Sequence, residues 1–62
     1  MKNKRIETKS GLNELLKRYT AAGADLELIK TVEGCIKEGL AMDELDYENT
    51  PKNLKKLWAG LR

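Results

Sequence analysis

Few side chains in this sequence could do chemistry, and their spacing limits what they could do. Nucleophilic catalysis needs a hydroxyl or thiol beside a base. The 62 residues include one serine (Ser10), one cysteine (Cys35) and no histidine. Ser10 precedes an apolar helical run, where a side-chain oxygen caps orphan backbone N–H groups. Cys35 falls on an apolar helical arc, where a free cysteine packs as a small hydrophobe. Both are read as structural, no residue is assigned a catalytic role, and the chain is not expected to be an enzyme.

The acidic residues invite a metal. Asp43, Glu44, Asp46 and Glu48 lie within six positions. A calcium loop beginning at Asp46 would need oxygen ligands at alternate positions and glycine at the sixth. The sixth residue is Pro51, which cannot make that turn. Without histidine, mixed cysteine and histidine ligation of zinc is excluded too. "GCIKEGLA" has the glycine spacing of a phosphate loop, but Leu40 and Ala41 stand where lysine and serine or threonine are required. Neither a cofactor nor a metal is expected.

The elements that would hold these residues are helices. Leu12, Leu15, Leu16 and Tyr19 recur at the spacing of one helical face, predicting a helix over about 11–22 with Gly23 as its stop. Asp25 is placed to cap a second helix over 26–38. There Leu28, Ile29, Val32, Cys35 and Ile36 occupy an arc of roughly 120°, wide enough for a core-facing stripe. Gly39 ends it, with Leu40 folding back on the last turn. "MDEL" admits a short helical turn near 42–46 with Met42 and Leu45 inward. Thr50 caps and Pro51 opens a last helix over 51–61, in which Leu54, Leu57, Trp58 and Leu61 form the apolar face. The expected fold is all-α, a small three-helix bundle. It forms a single domain over 10–62, preceded by a flexible basic arm over 1–9.

A core this small rarely supplies more than about 3–5 kcal/mol. One cysteine allows no intrachain disulfide, so self-association as a homodimer is the remaining reinforcement. A lone cysteine suits a reducing, cytoplasmic setting. "MKNKRIETK" has no apolar run behind it and is not read as a signal peptide. No segment reaches the 18 or so apolar residues of a membrane span.

Charge is blocky. Residues 1–9 carry +3, residues 39–50 carry −4, and residues 51–62 carry +4, within a net charge of +2. "TVEGCIKEGLAMDEL" partly resembles a helix-turn-helix, with Cys35, Gly39, Leu40 and Leu45 at matching positions. Glu38 and Glu48 depart from that pattern. The second helix would carry four carboxylates into a groove walled by phosphates, so the motif fails in that role. A better nucleic-acid candidate joins Lys2, Lys4, Arg5 and Lys9 of the arm with Lys52, Lys55 and Lys56 of the last helix. The acidic connector preceding that helix is positioned to mask part of its lysine face.

Protein contact is the favoured reading. Trp58 on a terminal helix of a thin core could leave an edge exposed as a hot spot, with Leu61 beside it. Gly34, on the polar face of the second helix, would admit a close-approaching partner. A membrane partner is not expected. It would lay the last helix on lipid and strip the other apolar stripes of their packing. The function expected is a regulator, inhibitor or adaptor acting on another protein. The alternative is a small DNA-binding transcriptional regulator.

Overall fold

A computed structural model describes residues 5–61. The chain is all-α: α1 (Lys9–Ala22), α2 (Leu26–Glu38), α3 (Glu44–Glu48) and α4 (Lys52–Lys55), the last continuing into a 3-10 turn at Lys56–Trp58. Among the described residues no strand forms, only a single antiparallel bridge between Ile6 and Met42. No helix among them is long and apolar enough to cross a membrane.

The first helix begins two residues earlier than expected, at Lys9. Its cap is Thr8, extended at φ −97°, whose Oγ1 accepts from the Gly11 N–H at 2.9 Å. Ser10 is instead an exposed residue of the first turn. The cause lies upstream. Ile6 is fully buried and exchanges both backbone hydrogen bonds with Met42, at 2.8 and 3.0 Å. Burying such a side chain is worth about 1.5–3 kcal/mol, enough to hold the backbone just ahead of Thr8. Of the basic arm expected over 1–9, residues 1–4 lie outside the described residues. Ile6 is packed rather than free, and Lys9 is already helical.

Both long helices stop as glycine dictates. Gly23 and Gly39 have φ of +74° and +71°, where a Cβ would be strained. Each is followed by the paired carbonyl bonds of a Schellman stop. Ala24 N–H reaches the Tyr19 carbonyl at 3.0 Å, and Leu40 N–H reaches that of Cys35 at 2.9 Å. The second helix has the predicted bounds, but Asp25 makes no side-chain cap bond, and Leu40 stays exposed rather than covering the last turn.

The last helix is shorter than the 51–61 expected. Thr50 does not cap it; Pro51 occupies the cap position and has no side chain to accept a bond. Helical geometry ends at Trp58, where Ala59 turns extended (ψ 129°) and Gly60 takes φ +79°. Helix α1 is the hub, packing against α2 on one side and against the 3-10 turn on the other. The core between them consists of Ile6, Leu12, Leu15, Tyr19, Val32, Met42, Leu54 and Trp58.

Candidate functional site

A chain of hydrogen bonds runs through the core. Trp58 Nε1 donates to the Tyr19 hydroxyl at 2.9 Å, which lies 3.4 Å from Thr50 Oγ1. Thr50 Oγ1 in turn contacts the Asp46 carbonyl at 2.8 Å. Elimination sets the direction. Indole N–H and carbonyl oxygen have fixed roles, so Thr50 uses its one proton on Asp46 and Tyr19 must donate to Thr50. The relay therefore points from Trp58 through Tyr19 and Thr50 to the backbone of α3. Every polar atom it buries is satisfied.

This relay seals the edge of Trp58 that was expected to reach the surface. The side chain is 4 % exposed, so it closes the core and presents no edge to a partner. Leu61 is half-buried and packs against the same core. Gly34 sits mid-helix with open space where a Cβ would stand, so nothing in this chain's packing requires glycine there.

The C-terminal segment is also clamped from α1. Arg18 Nη1 donates to the carbonyls of Leu57 at 2.8 Å and Ala59 at 3.0 Å, while its Nε reaches Glu14 at 3.3 Å. These carbonyls lack helical partners, and a guanidinium is suited to them.

The connector and the last helix form the outer face. Asp43 caps α3 through Oδ1, which accepts from Leu45 and Asp46 N–H at 3.1 and 3.2 Å. Asp46 Oδ2 closes the capping box by accepting from Asp43 N–H at 3.0 Å. The Asp46 backbone N–H is the main cause holding the Asp43 carboxyl below its usual pKa, with Leu45 N–H and the charge of Arg5 adding to it. This cap starts the helix at Glu44, not at 42. Met42 is consequently buried in the bridge to Ile6, and Tyr47 takes the inward position. Its ring meets Trp58 edge-on, with centroids 5.3 Å apart. Leu45, expected inward, is 68 % exposed, so the position a helix-turn-helix would bury lies in solvent.

The lysine candidates divide. Lys55 Nζ lies 3.9 Å from Glu48 and 5.3 Å from the centre of the Tyr47 ring. The acidic connector thus engages this lysine. Lys52 and Lys56 remain exposed, with no ion pair among the described residues. Arg5 pairs with Glu7, Lys9 is exposed on α1, and Lys2 and Lys4 lie outside the described residues.

Cys35 lines a cleft of about 240 Å³ with Glu7, Lys9, Leu12, Ile36 and Leu40. Burial, then the charges of Asp46 and Glu38, push its thiol above the ordinary value of 9.0. A raised folded-state pKa favours the protonated thiol. Its contribution to stability is therefore full below 9.0 and is lost as pH rises through the folded value. Thiolate is the reactive form, so alkylation by iodoacetamide at pH 8 should be slower in the native chain than in urea. Equal rates would overturn this account. Among the described residues no group of three or more acidic, cysteine or histidine side chains is arranged to hold a metal.

Compared with protein-family models, with curated proteins and with solved structures, the chain matches none.

Proposed function

We propose that this chain is a small non-enzymatic helical protein working in the cytoplasm through contact with another protein, as a regulator, inhibitor or adaptor. The observation that carries this reading is the exposure of Leu45 on a capped helix. A five-residue helix has little intrinsic stability, yet α3 is fixed by a complete capping box and by the backward bond from Thr50. That fixation holds a leucine in water between Glu44 and Glu48. An exposed leucine among charged residues on a capped helix would supply the apolar centre and polar rim of a contact surface. The three-helix bundle reading fits this role, with the first two helices as scaffold and the connector as the presenting element.

A photo-crosslinking amino acid at position 45 tests the proposal in the native cell. The expected result is a discrete crosslinked band that is missing when the probe replaces Thr31, also an exposed residue, on α2. Identical patterns at both positions would sink it.

Lys52 and Lys56, left free by the connector, favour the DNA-binding alternative. That reading requires a labelled mixed-sequence duplex to bind at low salt and release steeply between about 50 and 200 mM. Absence of binding at low salt removes it.

A further inference from the structure

Resting on the protein-contact reading, we propose that the partner at this face is a second copy of the chain, docked through α3 and α4 by two-fold symmetry. Three observations place the surface. Among the described residues Leu45 is the most exposed large apolar side chain, with Leu26 nearly as exposed. Glu44 and Glu48 flank it one helical turn apart, both exposed, as i,i+4 neighbours on one helical face. Lys52 and Lys56 repeat that spacing on the last helix, also exposed. The Glu48–Lys55 ion pair at 3.9 Å joins the two helices, so the acidic α3 and the basic last helix meet at this point of the surface.

Charge complementarity selects the occupant. A nucleic acid laid on Lys52 and Lys56 would meet Glu44 and Glu48 in the same patch, and an acidic protein would meet the same repulsion. A basic protein would satisfy the carboxylates but oppose the lysines. A second copy turned about an axis between the two helices sets each helix against its opposite. In such an isologous interface the contact of one residue with another is made twice. Leu45 then packs on the aliphatic stems of the second copy's lysines, which cover apolar surface while their ammonium groups stay wet. Lys52 and Lys56, without an ion pair among the described residues, find their counter-charges in the other copy.

Sedimentation equilibrium on the purified chain, up to about 1 mM, is the test. The wild type is expected to form a dimer whose dissociation constant rises about tenfold as salt screens its exposed pairs. Leu45→Ser, at a site with little role in the core, should weaken that dimer about tenfold or more. Two charge-reversed chains, Glu44→Lys with Glu48→Lys and Lys52→Glu with Lys56→Glu, should each be monomeric alone. Mixed one to one they should form a heterodimer, because each reversed helix then meets its opposite; the restored pairing also shows that both are folded. A wild type that stays monomeric throughout, or a dimer indifferent to Leu45→Ser, overturns the proposal. The two readings fail separately. A cellular crosslink from position 45 to a different protein, with the purified chain monomeric, would remove the homodimer and leave protein contact standing.

Discussion

Trp58→Ala is expected to leave the chain without a stable fold at room temperature. Truncating a buried tryptophan costs about 3–5 kcal/mol, and a core of this size supplies a similar total. Three further losses act at the same place. The Tyr19 hydroxyl loses the donor at 2.9 Å, Tyr47 loses its edge-on ring partner, and the 3-10 turn loses the side chain that seats it against α1. Far-ultraviolet circular dichroism checks this directly, the expected result being loss of most helical signal without denaturant. A variant that still unfolds cooperatively with stability lowered by less than about 1 kcal/mol would show that Trp58 does not close the core.

Tyr19→Phe is the sharper test, because it deletes one oxygen and leaves the ring. The Trp58 indole N–H would then be buried without an acceptor, and Thr50 would lose its donor. An unsatisfied buried polar group costs about 1–3 kcal/mol, so urea unfolding should show a loss in that range. Thr50→Val, removing the next link, should cost less, since its carbonyl acceptor at Asp46 belongs to a helix end. If the relay is one unit, the double variant loses less than the sum of the single losses. Strict additivity would mean that the 3.4 Å Tyr19–Thr50 contact carries no coupling.

Features resting on neighbours in sequence were legible in advance. Gly23 and Gly39 marked helix ends because a positive φ is a local demand, and the arc from Leu28 to Ile36 set α2 between them. What the sequence did not show depends on distant partners. Thr8 rather than Ser10 caps α1 because Ile6 is tied to Met42 across two intervening helices. Thr50 looked like a forward cap, yet its hydroxyl turns back to Asp46 and meets Tyr19, 31 residues away. Met42 and Leu45 both suited an inward turn until the Asp43 cap started α3 later and exchanged Leu45 for Tyr47. Arg18 carried no signal, because the carbonyls it binds lie 39 and 41 residues further on. The candidate surface was half legible: the charge blocks could be read directly, whereas the exposure of Leu45 followed from a helix boundary.

The Arg18 clamp also has a consequence for the order in which the molecule assembles. Neighbouring helices joined by a tight turn close at little entropic cost, whereas contacts separated by 39 residues must wait for a longer chain segment to be drawn together. The α1–α2 hairpin is therefore expected to form first, with the C-terminal segment docking after the rate-limiting barrier. Interactions absent from that barrier act on the rate of leaving the native state rather than of reaching it. Arg18, anchored on α1 by its bond to Glu14 and tied to the C-terminal segment by two carbonyls, is therefore expected to act on the lifetime of the folded chain more than on its speed of formation.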